Sequence, residues 1–296
     1  MSHFLLLPHL KIHNANAMSS PYTIGFPAIT AWIGAVHALQ RFVNQQGFEE
    51  VKFTRLAISC HQFDLQTYRG ENDFVSSIIG TANPLDKDGG RPAFVEEARC
   101  DLEVSLLIEL NGFDMDDEGS LISTINDRLH RMKWASGDLT SVKKASIIWV
   151  DEDDPKTIKV ALNKLMLGYV LIERRDLMTQ AMNDGQDALD ALLDHLKLMH
   201  RSEVDEQGQV TWTRKRKEEK GWLVPIAVGF QGISPLGKAK HQRDEHTPHR
   251  FAESVITLGE FKMPYRFKSL EPLLWQYHAD IENNLYLCQT QSQTAH

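Results

Sequence analysis

The sequence predicts an α+β fold with a ferredoxin-like core, and three patterns along the chain predict it. Residues 4–12 (FLLLPHLKI) form a short apolar run that is typical of a buried strand. From Pro27 onward, apolar residues recur every three or four positions, which predicts an amphipathic helix. Residues 100–110 alternate apolar with mostly polar side chains, which predicts a strand with one face in the core and the other largely in water.

The first elements follow from local spacing. Pro8 interrupts the first apolar run and predicts a bulge or an edge position in that strand. Pro27 suits the first turn of the helix that follows. That helix is predicted to bury the residues of one face, namely Ile29, Trp32, Ile33, Val36, Leu39 and Val43. Residues 52–60 (KFTRLAISC) predict the second strand.

A second helix and a fourth strand follow the alternating strand. The helix is marked by apolar residues at helical spacing, which are Leu121, Ile122, Ile125, Leu129 and Met132. Residues 144–150 (KASIIWV) predict the strand. The order strand, helix, strand, strand, helix, strand is the ferredoxin-like arrangement. RNA-recognition domains share it, although a fold alone does not establish a function.

Three regions are predicted along the chain. Residues 1–150 contain the ferredoxin-like core. Residues 151–220 are predicted to be an elaborated insertion of helices and strands, with helices at 155–166 and 188–199. Residues 221–296 are predicted to form a C-terminal β-rich region, whose strands and loops pack back on the core.

Length and composition indicate an ordinary globular protein. The chain has 296 residues, of which 42% are hydrophobic and 24% charged, so it can bury a sizeable core. No apolar run approaches the roughly 18–20 residues of a membrane helix, and residues 1–11 lack the features of a signal peptide. We therefore expect a cytoplasmic protein without membrane contact. Three cysteines without a CxxC pair, Cys60, Cys100 and Cys288, favour buried free thiols.

Charge is distributed unevenly along the chain. The formal net charge is -8, but residues 71–120 hold three Lys or Arg against thirteen Asp or Glu. Residues 211–268 hold twelve Lys or Arg against six Asp or Glu. A basic face on an acidic protein can bind phosphates while the remaining surface repels other polyanions. Solvated charge scattered over the fold is the alternative interpretation.

The histidines are the side chains that could carry chemistry. His241, His246 and His249 lie in the run HQRDEHTPHR, but their spacing in a proline-containing loop does not impose a common metal ligand geometry. His37 could serve as a general base only with a second group to protonate the leaving oxygen, so a structural hydrogen bond is the favoured role. The sequence also lacks the GxSxG, GxxxxGK[ST] and HExxH motifs. We expect no enzyme activity, no catalytic residue, no metal and no cofactor.

Two segments have a composition that suits nucleic-acid contacts. Residues 13–39 begin with Asn, Ser and Pro and continue into the first helix, and residues 224–255 interleave Gly, Pro and Ser with aromatic and basic residues. Such segments supply tight turns, exposed backbone N–H groups and short side chains that can read the edges of splayed bases. Connecting loops have the same composition, so this pattern alone leaves both interpretations open.

The amino-acid sequence of these segments resembles that of a known family. LLLPHLKIHNANAMSSPYTIGFPAITAWIGAVHALQR, VPIAVGFQGISPLGKAKHQRDEHTPHRFAESVITLGEF and the terminal SLEPLLWQYH are similar to the Csy-two (Csy2) family. This family is the Cas-five-type (RAMP) subunit of the type I-F CRISPR surveillance complex. The likeness covers both ends of the chain in the same order.

The resemblance implies a function and partners. It implies an RNA-recognition (RAMP) fold and a non-catalytic subunit that binds the 5′ handle of the guide crRNA for antiviral defence. It also implies pairing with the large PAM-reading Csy subunit and contact with the backbone Csy subunits. Target DNA, reached indirectly, and anti-CRISPR proteins are further partners that the family implies.

The resemblance also assigns RNA contacts to residues of both segments. A handle of fixed sequence is read by hydrogen bonds to base edges and held by its backbone, and a strand-to-helix turn offers both. The RNA-binding residues expected on this basis are Asn14, Asn16, Ser19, Ser20, Gly25, Gln231, Arg243, His249 and Arg250. Gly25 is expected to permit close approach of the backbone.

Three alternatives stay open at this point. Asn and Ser at a strand exit could satisfy a turn and cap the helix. A RAMP-type endoribonuclease that processes precursor crRNA with His37 is the competing function. A protein-binding adaptor, with residues 214–217 (RKRK) as a solvated face, is the third.

Overall fold

The computed structural model describes most of the chain. The described residues are 2–79, 85–90, 97–204, 207–215, 221–240, 242, 244 and 246–290. The predicted RNA-binding residue Arg243 lies outside them, as do His241 and Glu245 and residues 216–217 of the RKRK run.

The elements alternate along the chain between strands and helices. The strands are β1 (Ser2–Asn16), β2 (Met18–Ser20), β3 (Thr23–Ile24), β4 (Lys52–Leu65), β5 (Thr67–Tyr68), β6 (Ser77–Ile78), β7 (Arg99–Asn111), β8 (Lys133–Trp134), β9 (Gly137–Ser141), β10 (Ser146–Val150), β11 (Tyr169–Glu173), β12 (Met199–Val204), β13 (Val210–Lys215), β14 (Trp222–Gly232), β15 (Ala252–Lys262), β16 (Trp275–Asp280) and β17 (Leu285–Thr290). The helices are α1 (Ile29–Gln45), α2 (Glu118–Leu129), α3 (Pro155–Lys164), α4 (Arg175–Asn183) and α5 (Ala188–Leu196). Short 3₁₀ turns occupy Met115–Asp117, Pro264–Arg266 and Glu271–Leu273.

One large sheet runs through the molecule. Its strands are ordered β11-β15-β14-β17-β16-β4-β7-β1-β9-β8, and β10 pairs with the first half of β1. Within the described residues, every pair of strands in this sheet is antiparallel. Among the strands near the N-terminus, the order is β4-β7-β1-β10, with α1 between β1 and β4 in sequence and α2 between β7 and β10.

The first strand and the first helix form as the sequence predicts. The register of β1 against β7 shifts between Leu7 and Leu10, so the bulge predicted at Pro8 is confirmed. Helix α1 buries the six predicted residues, because their three- and four-residue spacing places them on one face. The helix begins at Ile29, after an N-cap at Ala28 whose backbone is extended, so Pro27 precedes the first turn rather than lying in it.

The prediction that one face of the third core strand is wet was wrong for much of its length. Ser105 and Leu107 on that face are fully buried, and Glu109 is 9% exposed. A second apolar cluster covers this face, in which Leu107 packs with Ile158 of α3 and with Leu273. Asp101 and Glu103 near its start remain partly exposed, and Asn111 at its end is exposed. The strand is therefore buried between two layers, which its alternating pattern does not reveal.

Residues 151–220 contain elements that the sequence did not indicate. Strand β11 pairs with β4 through Tyr169 and Val170 and with β15 along its length. Helix α4 follows it and packs with α5. The second predicted helix of this region ends at Leu196, and Met199 already begins β12. The large sheet thus takes one of its strands, β11, from the region predicted to be an insertion.

The C-terminal strands join the sheet beside β4. Trp275 of β16 pairs with Leu56 of β4, is fully buried, and donates its indole N–H to the carbonyl oxygen of Leu171 at 2.8 Å. All three cysteines are buried free thiols, as predicted. Among the described helices, none is both long enough and apolar enough to cross a membrane.

Candidate nucleic-acid interface

Asn14 presents its side chain at a bulge near the end of β1. Its backbone is left-handed, with φ of 60°, a conformation that Asn tolerates better than most residues. The backbone N–H donates to Asp101 Oδ1 at 2.8 Å. The side chain is exposed, and its amide has no hydrogen bond within the described part of the chain. Both the donor and the acceptor of this amide are thus free to meet a ligand.

Asn16 and the two serines are engaged in local structure. Asn16 Oδ1 accepts from the backbone N–H of Met18 at 3.0 Å. The hydroxyls of Ser19 and Ser20 lie 2.9 and 2.7 Å from Thr23 Oγ1, and Ser20 is buried. These contacts close the turn between β2 and β3, as the alternative interpretation of the segment describes. The alternative interpretation also expected these residues to cap α1, but no side chain caps the N-terminus of this helix.

Gly25 lies where the two predicted segments meet. Its N–H donates to the carbonyl oxygen of Ala17 at 2.9 Å, and a side chain at this position would point into open space. Gly25 is also one of the residues that line a cavity of about 330 Å³. Its lining residues are Ile24, Gly25, Phe26, Cys60, His61, Gln62, Phe63, Tyr169, Trp222, Val224, Pro225 and Phe261. Val224 and Pro225 begin the second segment, so the fold brings the two segments together here.

Aromatic rings form much of the wall of this cavity. The Trp222 ring meets Tyr169 edge-on at 5.6 Å and Phe261 at 5.3 Å between centroids. Trp222 is 53% exposed, and Tyr169 and Phe63 are each more than a third exposed. Sequence reasoning missed these three residues, because they lie on β14, β11 and β4 and only the pairing of the strands places them at one cavity.

A second, polar cavity adjoins the aromatic one. It has a volume of about 250 Å³, and Gln62 lines both cavities. The other lining residues are Lys11, Ile12, His13, Asp101, Leu102, Glu103 and Thr140. Asn14 follows His13 in the chain, and its backbone N–H is bonded to Asp101; both of these residues line the second cavity.

Two histidines and a lysine contact the carboxylates of the polar cavity. His13 Nδ1 lies 2.8 Å from Asp101 Oδ1, and His9 Nδ1 lies 2.6 Å from Glu103 Oε1. Lys11 Nζ is 3.7 Å from the other oxygen of Glu103, and its side chain is 59% exposed. Burial raises the pKa of Glu103, but the His9 hydrogen bond and the charge of Lys11 outweigh this effect and lower the pKa below its usual range. Glu103 therefore stays charged, and the Lys11 ammonium beside it is largely exposed.

Two stacked histidines lie beneath the junction of the cavities. The rings of His9 and His61 are 4.5 Å apart, and His61 Nε2 lies 2.7 Å from Ser105 Oγ. Burial lowers the pKa of His61 from its usual 6.5, and the neighbouring charges of His9 and Lys143 lower it further.

We expect stability to depend on pH through His61. Because its folded pKa is lower than its unfolded one, the neutral ring contributes stability that is full above pH 6.5 and is lost as the pH falls through the folded pKa. The free energy of unfolding, measured by urea denaturation between pH 5 and 7.5, should therefore fall on acidification. His61→Gln should flatten this dependence. An unchanged slope in His61→Gln would contradict the assignment.

The predicted residues of the C-terminal segment form a separate group. Gln231 Nε2 donates to the carbonyl oxygen of Asn283 at 3.0 Å, and Arg250 Nη1 donates to Asn284 Oδ1. His249 is half-buried, with Nδ1 2.7 Å from the carbonyl oxygen of Thr247. Gln231 lies six residues along β14 from Pro225 of the aromatic cavity, a distance of roughly 20 Å at ~3.3 Å per residue. The structure therefore does not gather all predicted residues into one site.

His37 is exposed on α1 at a different cavity, of about 340 Å³. Its ring stacks on Tyr277 at 6.4 Å, and within the described residues it makes no hydrogen bond, unlike the structural role predicted for it. A search of the same residues finds no group of three or more His, Cys, Asp or Glu side chains that could hold a metal ion.

The amino-acid sequence is similar to CRISPR-associated proteins over nearly all of its length. The profile of a family described as CRISPR-associated protein (Cas_Csy2) matches residues 5–288. The chain is 34% identical over 307 residues to CRISPR-associated protein Csy2 of Pseudomonas aeruginosa strain UCBPP-PA14. That alignment covers 95% of this chain and 93% of the relative. Both segments and both adjoining cavities lie within the matched range.

Proposed function

This chain belongs to the Csy2 family of CRISPR-associated proteins, and we propose that it is the non-catalytic subunit that binds the 5′ handle of the guide crRNA. Family membership supports a role in the type I-F CRISPR system and implies partner Csy subunits. The observation that carries the RNA-binding proposal is the meeting of the two segments at the aromatic cavity. Gly25 and Gln62 line this cavity, Gln62 also lines the polar cavity, and the backbone N–H of Asn14, whose side-chain amide is free, is bonded to Asp101 of the polar cavity.

A ferredoxin-like RAMP core is part of this proposal. The strand order β4-β7-β1-β10, with every pair antiparallel, supports it. The connections also support it, because α1 connects β1 to β4 and α2 lies between β7 and β10 in sequence. In such a core each helix connects two strands that are separated by a third. Apolar residues of α1 and α2 pack with those of β1, β4 and β7 in one core cluster.

Assembly completes the proposed function. We propose that the large PAM-reading Csy subunit and the backbone Csy subunits are the protein partners, with the handle held between them. Co-purification of this chain with its neighbours, followed by sequencing of the bound RNA, tests the whole proposal. Recovery of crRNAs with a constant 5′ end would support it, and recovery of the complex without RNA would contradict it.

Removing the amide of Asn14 should weaken binding of the native handle more than binding of a scrambled one. Asn14→Gly is the preferred variant, because glycine keeps the left-handed backbone whereas alanine would add strain. By analogy with DNA, a bidentate contact to a base edge is worth about 1–3 kcal/mol. Fluorescence anisotropy with labelled RNA of both sequences measures the difference.

His37→Ala separates this function from the competing endoribonuclease. A handle-binding scaffold should bind RNA and assemble normally without His37, which lies at another cavity. The nuclease would be favoured if the purified chain cleaves repeat RNA and His37→Ala abolishes the cleavage, while Asn14→Gly binds the native and the scrambled RNA like the wild type.

A further inference from the structure

We propose that the aromatic cavity holds one unstacked nucleobase of the handle, an inference that rests on the proposed function and adds the ligand of this site. The base would stack against the rings of Trp222 and Tyr169, and its edge would face Gln62. Four observations on the cavity and its surroundings support this occupant.

The first observation is the composition of the walls. Trp222, Tyr169 and Phe63 each leave a substantial part of their ring exposed at the cavity, although an apolar side chain of this size is usually covered. Single-stranded RNA is bound by stacking its splayed bases on such rings. A volume of about 330 Å³ is at the lower end of the roughly 300–1,000 Å³ of small-molecule sites, which suits one base rather than a chain of them.

The second observation is Gln62, whose side chain is exposed where the two cavities join. Across the described residues, its amide makes no hydrogen bond, so both its donor and its acceptor are available. An amide of this kind can pair with the edge of a base, which presents a donor and an acceptor side by side. An apolar peptide side chain would leave this amide without a partner.

The third observation is the opening at Gly25. A side chain at this position would meet no atom within 4 Å, and the φ of Gly25 is not in the left-handed region. The backbone therefore does not require glycine here, whereas a ligand entering the cavity between Gly25 and Trp222 does require the space. The base would enter the cavity on this side, which would be its mouth, next to the end of β3.

The fourth observation is the charge of the adjoining cavity. Lys11 is largely exposed there, and the carboxylates of Asp101 and Glu103 are paired with histidines. A nucleotide whose base enters the aromatic cavity would leave its phosphate near this polar cavity, where Lys11 can neutralise it. The backbone of Asn14 is bonded to Asp101, which lines this cavity, so the next base along the strand would be placed to reach the Asn14 amide.

A double-mutant cycle between protein and RNA tests the proposal. The probe is the repeat-derived handle RNA, with an abasic nucleotide placed at each position in turn, bound to the full-length chain or to the chain co-purified with its partner subunits. Trp222→Ala should weaken binding of the intact handle roughly 5- to 150-fold, the range for the loss of one base–aromatic stack. At one handle position, the abasic nucleotide should reduce affinity for the wild-type protein by a similar factor. At that same position it should not reduce affinity for Trp222→Ala any further.

Gly25→Leu is the second variant, because it fills the mouth without removing a wall. It should weaken binding of the intact handle at the same position and leave the thermal unfolding of the chain unchanged. Trp149→Ala and Gly34→Leu are the matched controls, since Trp149 is an exposed ring on β10 and Gly34 also faces open space. Both controls should bind the handle like the wild type.

Three results would overturn the proposal. The first is that the losses of affinity caused by Trp222→Ala and by the abasic nucleotide add at every handle position, or that neither Trp222→Ala nor Gly25→Leu weakens handle binding. Either outcome would show that the protein binds the handle without a base in the cavity. Weaker capture of a partner subunit with unchanged RNA affinity would assign the cavity to a side chain of that partner. Failure of the wild-type protein to bind the handle would remove the proposed function and, with it, this inference.

Discussion

Replacing Arg55 with methionine is expected to lower the free energy of unfolding by about 3–5 kcal/mol, the range for removing one partner of a buried ion pair. The guanidinium makes two hydrogen bonds to Glu109, both of 2.7 Å, and two to Glu271, of 2.6 and 2.8 Å. Hydrogen bonds from Arg55 hold the pKa of Glu109 below its usual range, so this carboxylate is charged although it is nearly buried. Without Arg55, a charge would remain in the interior without its partner.

Urea denaturation of the purified chain measures this loss. Lys133→Met is the matched control, because Lys133 and its partner Asp138 are both 63% exposed and an exposed pair contributes about 0–1 kcal/mol. Equal losses in the two variants would show that the Arg55 network does not tie β4 and β7 to the turn at Glu271.

Replacing Trp275 with alanine is expected to cost about 3–5 kcal/mol, as for other large aromatic residues removed from a core. Trp275 is fully buried, and its pairing with Leu56 joins β16, and through it the C-terminal strands, to β4. Its indole N–H also satisfies the carbonyl oxygen of Leu171 in β11. One side chain thus connects three parts of the sheet that are distant in sequence.

Trp275→Phe separates packing from the hydrogen bond. It keeps most of the apolar volume and should lose about 1–3 kcal/mol, the cost of a buried group left without its partner. Thermal and urea unfolding followed by circular dichroism and by tryptophan fluorescence measure both variants. If Trp275→Ala were as stable as the wild type, this would contradict the role of Trp275 in connecting β16, β4 and β11.

Local spacing accounts for the parts of the fold that the sequence predicted. The six buried residues of α1, the bulge at Pro8 and the buried cysteines follow from periodicity, from the missing N–H of proline and from side-chain polarity. These properties depend on a few neighbouring residues. The alternating pattern of β7 misled for the same reason, because it records which side chains are polar and not which layer covers them. Leu107 is buried by α3 and the turn near Leu273, which come much later in the chain.

Sequence by itself determined that this chain belongs with CRISPR-associated proteins, and it drew attention to the two segments that carry the likeness. Only the tertiary structure decided which of their residues share a site. It placed Gly25 beside Val224 and separated both from Gln231 and Arg250. It also brought Trp222 and Tyr169 to a cavity that no motif marks. The physical reason is that a cavity is formed by the pairing of strands distant in sequence, and that pairing leaves no periodic trace in any one of them.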